Sequence, residues 1–393
     1  MQRLTTIPAP RSTRAAARAL ALVIPLTLFG CADKAKPGYE GCLGAERSGD
    51  LDGAVGLCSA AAKVDPTSES GKLATAKVAD IEQKKKAAAA VANEKARVGF
   101  GMWDGDSGTK DRPGAQKVFV ETCGQGSPLG CTGLAIAFLD GVNGTGKDNK
   151  KAFALLQPAC DVKIGRACSA LGNMSADGEG LPKDESKAAD LYKLACDAGE
   201  ARGCHRLGIF YALGKGGLPK DETHAFALLK SACEAGRSDA CHIAAVASHH
   251  GDGTPKSTAD AVKYAQLACD GTHGDRSGDG CNFLAGFYFR GEGEPKDPKK
   301  AAALTKEACD LTSPSGCATY AAFLMRDAVP PDLKGAHEAA VKACEGSDAN
   351  GCYMLATCEA RGWGTERSPM TADTYMKKAC DLGNATACKE FRR

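Results

Sequence analysis

Twenty cysteines stand in a chain of 393 residues, and the spacing of most of them decides what chemistry their sulfur can do. Eight pairs run toward the C-terminus: Cys123 with Cys131, Cys160 with Cys168, Cys196 with Cys204, Cys233 with Cys241, Cys269 with Cys281, Cys309 with Cys317, Cys344 with Cys352 and Cys380 with Cys388. Seven of these have members eight residues apart, and the first members recur every 35 to 40 residues. Cys42 and Cys58 form a separate, wider pair. Zinc sites typically place about two to four residues between paired thiolates. Seven intervene here, so the spacing points to disulfides and therefore to an oxidising compartment.

Two cysteines fall outside this beat. Cys358 follows Cys352 within one helical stretch. Its thiol is either available for an intermolecular bridge or buried and inert. Cys31 closes an apolar run, Ala19 to Gly30, that follows Arg3, Arg11, Arg14 and Arg18 with no acid among them. Such a run is too short to span a bilayer and has the form of a signal peptide. Leu28-Phe29-Gly30-Cys31 resembles a bacterial lipobox, in which the cysteine becomes the first mature residue and receives lipid. Residues 1–30 thus read as a signal peptide and residues 31–37 as a lipidated tether, with Cys31 the lipidation site. Ala32, in place of Asp, resembles the sorting pattern that sends enteric lipoproteins to the outer membrane. Acyl chains contribute roughly 0.8 kcal/mol per buried methylene, so several on one residue anchor firmly.

Other reactive side chains are few. His249-His250-Gly251-Asp252 closes a helical stretch, and His242 and His250 would share a helix face on which a transition metal could bind. Histidines at an exposed helix end are otherwise simply solvated, and the reading is no metal and no cofactor. His205 and His242 each follow a repeat cysteine and so hold equivalent positions. Trp363, between Gly362 and Gly364, is either an interface anchor or a local packing group.

Charge excludes one class of partner. Loss of the four leader arginines turns a formal +2 into −2, which leaves no basic footprint for nucleic acid. Lys84-Lys85-Lys86 sits in an alanine-rich stretch and reads as a solvated helix face.

These residues must be positioned by helices. Residues 38–66 predict a small helical hairpin, with helices from Tyr39 to Arg47 and from Leu51 to Val64 bridged by Cys42 and Cys58. An Ala/Lys-rich connecting helix is expected over 67–97. From 98 to 393, units with a period near 36 residues predict a helical solenoid of eight repeats, ending in a truncated helix after Cys388. In each, glycines stop a first helix and a Lys-Asp or Pro-Lys-Asp corner opens a second, with Asp184 and Asp221 placed as caps. Leu171, Leu191, Leu194, Leu207, Phe226 and Leu229 recur at helical spacing as the inter-helix core. The longer, Gly-rich junction between Cys269 and Cys281 predicts a bulged loop. Two later corners depart from the pattern, one carrying Pro330-Pro331 and the other Trp363.

The frame running from Cys168 to Cys196 and again from Cys204 to Cys233 resembles Sel-one-type repeats, relatives of tetratricopeptide repeats. With its cysteine pairs it is similar to the Helicobacter cysteine-rich protein family. The resemblance covers about residues 98 to 393 and implies an all-α, α/α superhelical solenoid stapled by disulfides, exported to the envelope and engaged in protein interaction. It also implies, for some members, penicillin binding or weak β-lactamase activity. A serine β-lactamase needs a serine with a lysine three positions on, supported by Ser-Asp-Asn and Lys-Thr-Gly elements. Ser107-Gly108-Thr109-Lys110 is the one match to the first element, it lies in a Gly-rich turn, and the supporting elements are absent from the sequence. No catalytic residue is assigned. The leading expectation is a bacterial envelope lipoprotein, on the outer membrane, that binds an unknown protein or peptide through the concave face of its repeats. A β-lactam-binding enzyme and a regulator of a cell-wall enzyme are the alternatives.

Overall fold

The structure, a computed structural model, describes residues 33–104, 110–142, 146–271, 275–328 and 330–391. It is built from 19 helices among the described residues and divides in sequence, between Lys85 and Lys86, into two compact units. The leader, Cys31 and Ser107 lie outside the described residues. None of the described helices is long and apolar enough to cross a membrane.

In the first unit, α1 (Lys36–Arg47) and α2 (Leu51–Val64) form a hairpin that packs on the beginning of α3 (Glu69–Asp104). Asp50 caps α2 by accepting from the Gly53 N–H at 2.9 Å, and a Cys42–Cys58 disulfide joins the arms. Lys84 pairs with Glu46 and Asp80, and Lys85 with Asp52, so two of the three lysines in the run are salt-bridged and Lys86 is exposed. The expected tether is shorter than residues 31–37. Ala35 is buried, α1 already begins at Lys36, and Asp33 accepts from the Ala35 and Ser70 N–H groups. Hydrogen bonds from Ser70, above all from its hydroxyl, hold the Asp33 carboxyl down at about 2.

The second unit is an array of helix pairs. The last part of α3 pairs with α4 (Arg112–Gly124) through Phe100, Trp103 and Phe119. Then follow α5 (Pro128–Asp140) with α6 (Asn149–Asp161), α7 (Gly165–Asp177) with α8 (Glu185–Asp197), and α9 (Ala201–Leu213) with α10 (Glu222–Glu234). The next pairs are α11 (Ser238–His250) with α12 (Thr258–Asp270), α13 (Gly278–Arg290) with α14 (Pro298–Asp310), α15 (Pro314–Arg326) with α16 (Leu333–Glu345), and α17 (Ala349–Arg361) with α18 (Pro369–Asp381). The half-length α19 (Ala385–Phe391) closes the row. Eight pairs and a truncated helix are what the period predicts. There is no break at Arg97, however: α3 runs unbroken through it, so the connecting helix and the first repeat helix are one.

Local chemistry explains the corners. Asp184 accepts from the Lys187 N–H at 2.9 Å and Asp221 from the His224 N–H at 2.8 Å, satisfying donors that the first turn leaves free. Most first helices end on a left-handed glycine, as at Gly178 and Gly214. At α15 that position is Asp327 in a right-handed conformation, immediately before the Pro330-Pro331 corner.

At every junction between repeats two helices cross on small residues. The residue before the first cysteine (Thr122, Ala195, Ala268, Ala343) packs on the residue before the second (Gly130, Gly203, Gly280, Gly351), and all are buried. A Cβ on Gly351 would collide with that of Ala343. This close approach brings the adjoining cysteines to Cα separations of 4.3 to 4.7 Å, and all eight junction pairs are disulfides. Cys309 and Cys317 are bonded at a Cα separation of 4.3 Å, and Cys123 and Cys131 at 4.4 Å. The N–H opening each next helix then bonds the carbonyl before the first cysteine, as Glu200 to Ala195 at 3.0 Å. The Cys269–Cys281 junction keeps this bond, from Ser277 to Ala268 at 2.7 Å, and its extra residues 272–274 lie outside the described residues.

Leu171, Leu191, Leu207 and Leu229 are buried as expected. Leu194 is 47% exposed, because α8 buries Ala188, Leu191, Tyr192 and Ala195 and Leu194 lies just off that arc. Phe226 is only half-buried and meets the edge of Tyr264.

Two stability measurements test this account. Replacing Cys233 and Cys241 by serine should lower the unfolding free energy by about 2.6 kcal/mol in denaturant titrations, the value for closing a loop of this length. Exposed Thr312 holds φ at +62° where four other junctions have glycine, as at Gly199 with φ +80°, and two have Lys163 and Ser347. Thr312→Gly should therefore raise stability by roughly 0.5–1 kcal/mol despite the looser unfolded chain.

Candidate functional site

The first helices of the repeats form the inner row of the second unit. α5 touches α7, α7 touches α9, and α11, α13, α15 and α17 touch in turn, whereas among the second helices the substantial approach is α10 to α12. Helices that converge on one side and spread on the other make a curved array, with the converging row on its concave face. Side chains flanking the second cysteine of each repeat line that face and join across repeats. Asn282 Nδ2 donates to Ser315 Oγ at 3.1 Å, Asn384 Nδ2 to Asn350 Oδ1 at 2.9 Å, and Tyr353 OH to Glu390 at 3.2 Å.

At the N-terminal end of this row, guanidiniums outnumber their counterion. Arg166 lies 2.8 Å from the Asp104 carboxylate and Arg202 lies 3.6 Å from it, although they come from α7 and α9. Arg166 also lies over the Phe100 ring at 4.2 Å. Arg237 pairs instead with Asp239 and Asp275, and its Nε is buried without a partner. Burial and the charges of Arg166 and Arg237 lower the pKa of Arg202.

Further along, α11, α13 and α15 enclose a cleft of about 610 Å³, with Ala301 and Thr305 of α14 also lining it. Phe283, Phe289 and Phe323 supply its apolar lining, with Ala285, Gly286 and Ala322 beneath. At one end stand Asp279, Asn282 and Ser315, at the other Arg290 and Arg326. Asp279 Oδ1 accepts from Ser313 and Ser315 at 2.5 and 2.9 Å.

The histidines serve packing. His242 meets Phe283 edge-on at 5.9 Å, and His249 stacks against Phe283 and Phe287 at 5.8 and 5.5 Å. Burial lowers the pKa of both. His250 is exposed and meets the edge of His249 at 5.1 Å. Among the described residues, the ligand-type atoms that cluster are those of Cys269, Cys281 and Glu307, where both sulfurs are already in a disulfide. His205 is 7% exposed, as its equivalence to His242 implies, and its Nε2 has no partner. Cys358 is fully buried and burial pushes its thiol up to about 11, which removes the accessible thiolate that an intermolecular bridge needs. Trp363 is half-buried, with Arg361 4.7 Å over its ring.

The three phenylalanines, Arg290, Arg326 and the Arg166/Arg202 pair were not marked out by any motif. Their signal is positional. Superposing the repeats on their cysteines shows a few first-helix positions that change type from repeat to repeat while the Ala, Gly and Leu around them hold constant.

Residues 128–162, 165–200, 201–236, 238–273, 278–313 and 349–384 each match the Sel1 repeat, and the chain belongs to the Sel1 repeat family. Two solved structures share the fold. One, described as a protective antigen of uropathogenic Escherichia coli displaying an SLR fold, has a TM-score of 0.55 and 21% identity over 92% of this chain and 79% of its own. The other, a Sel1 repeat protein of Oxalobacter formigenes, has a TM-score of 0.52 and 21% identity over 79% and 89%. Helicobacter pylori cysteine rich protein B is 33% identical over 34% of this chain and 95% of its own, with a TM-score of 0.28. No curated protein matches the chain.

His205 makes the site's electrostatics measurable. Burial first, then the positive charge of Arg237, lowers its pKa from 6.5 to about 4. The unfolded chain takes up this proton near pH 6.5 and the folded chain only near 4, so acidification through that window favours unfolding. Wild-type stability should fall from pH 6.5 to 4 more steeply than that of His205→Phe, with a difference of up to about 3 kcal/mol in urea titrations.

Proposed function

We propose that the chain is an exported lipoprotein whose repeat array binds a protein or peptide along the concave face of its first helices. The observation that carries this reading is the open, aromatic-lined cleft between α11, α13 and α15, flanked by a row of side chains that varies from repeat to repeat. Sel1 repeats form protein-interaction scaffolds, and nine disulfides assign the folded chain to an oxidising, non-cytoplasmic compartment.

Lipid on Cys31 would place the first unit directly at the outer-membrane surface, because Asp33 is already tied to Ser70 and little free chain lies between. The β-lactam alternative rests on the resemblance to the Helicobacter cysteine-rich proteins and has no constellation of groups behind it in the cleft.

A photo-crosslinking amino acid placed at Phe289 in cells should give a discrete adduct, and one at Met370, exposed on α18, should not. Equal labelling at both sites, or none at Phe289, would remove the concave-face reading. Cys31→Ala should move the protein from the membrane to the soluble fraction. Turnover of a chromogenic β-lactam by the oxidised protein would replace the scaffold with an enzyme.

A further inference from the structure

The cleft between α11, α13 and α15 carries a more specific statement about its occupant, one that rests on the binding role proposed above. Its polar wall is largely engaged within the protein: Ser315 donates to Asp279 and Asn282 Nδ2 donates to Ser315, so the groups left to recognise an occupant are the aromatic lining and the far end.

The opposite end carries Arg290 and Arg326, with Asp327 beside them. Arg290, Arg326 and Arg361 take equivalent positions near the ends of α13, α15 and α17. Arg290 is paired with Glu292 and Arg361 stacks on Trp363, but exposed Arg326 has no ion pair or hydrogen bond among the described residues. Between these ends the lining is aromatic. Arg326 stands eight residues beyond Ala318, the counterpart of Asn282 on α15, which is about 12 Å along the helix axes. Three to four extended residues cover that distance.

We propose that this cleft binds an extended peptide segment that presents a large apolar side chain to Phe283 and Phe323 and an acidic side chain to Arg326. The apolar and acidic residues lie within a stretch of about four.

The test is a selection of displayed random heptapeptides on the full, oxidised chain, followed by fluorescence anisotropy of the enriched peptides made synthetically. Enriched sequences should combine a large apolar residue with Asp or Glu inside four positions. Arg326→Glu should weaken them roughly tenfold or more, and a peptide with Lys in place of its acid should regain affinity for that variant. Phe323→Ala should cost roughly tenfold, and Met370→Ala should cost nothing. Circular dichroism confirms that each variant is folded. Peptides that bind but carry no acid, or that ignore Arg326→Glu, overturn the assignment of the cleft and leave the peptide-binding face standing. If the oxidised chain enriches no peptide over the reduced one, both readings fall.

Discussion

Each repeat junction depends on one crossing, in which a buried small residue at the end of one helix rests on a buried small residue at the start of the next. A Cβ added at Gly351, Gly203 or Gly280 has no room, because Ala343, Ala195 and Ala268 are already there. Only at that separation can the neighbouring cysteines meet. The disulfide is thus a consequence of the crossing as well as its fastener. Helices this rich in alanine bury little apolar surface per residue, and a nearest-neighbour array has no distant contacts to supplement them. Restricting the unfolded chain at every junction supplies what the thin core lacks.

The same constraint places the concave face. Because each junction has nearly the same geometry, the rotation from repeat to repeat is fixed, and the side chains next to the second cysteine fall into a lateral row. Asn282 can reach Ser315, and Asn384 can reach Asn350, for this reason. It is also why Arg166 and Arg202, two helices apart, converge on Asp104.

The fold was legible because its determinants repeat. Cysteine spacing, the Asp caps and the glycine stops each recur in register, so one repeat corroborates the next. What escaped was set by a single helix or a single loop. The fusion of the connecting helix into the first repeat has no punctuation in the sequence, since nothing at Arg97 breaks a helix. Leu194 has the right residue type for a core and sits a few tens of degrees off the buried arc. The site was less legible for the opposite reason. Motif reasoning favours reactive residues in fixed patterns, and it drew attention to His242, His249 and His250, of which the fold uses the first two as aromatic packing and leaves the third exposed. Phe283, Phe323 and Arg326 belong to no motif, and they acquire meaning only when three successive first helices are laid side by side.

Laid out this way, the concave face changes sign along both of its edges. Two residues before the second cysteine, the sequence runs Arg166, Arg202, Asp239, Asp279; near the ends of the first helices it runs Asp140, Asp177 and later Arg290, Arg326, Arg361. The later arginines sit where a helix C-terminus favours positive charge, while Asp140 and Asp177 sit where it does not. Helix stability therefore accounts for one half of the pattern and not the other. A partner of uniform charge laid along the whole face would be attracted by one region and repelled by the next. A segment that matches only the cleft avoids that conflict, because within α13 and α15 the acidic end is already hydrogen-bonded by serine hydroxyls and the other end keeps an unpaired guanidinium. Local complementarity of this kind fixes which way a bound chain must run, and a repeat array gains specificity from orientation even where each contact is individually weak.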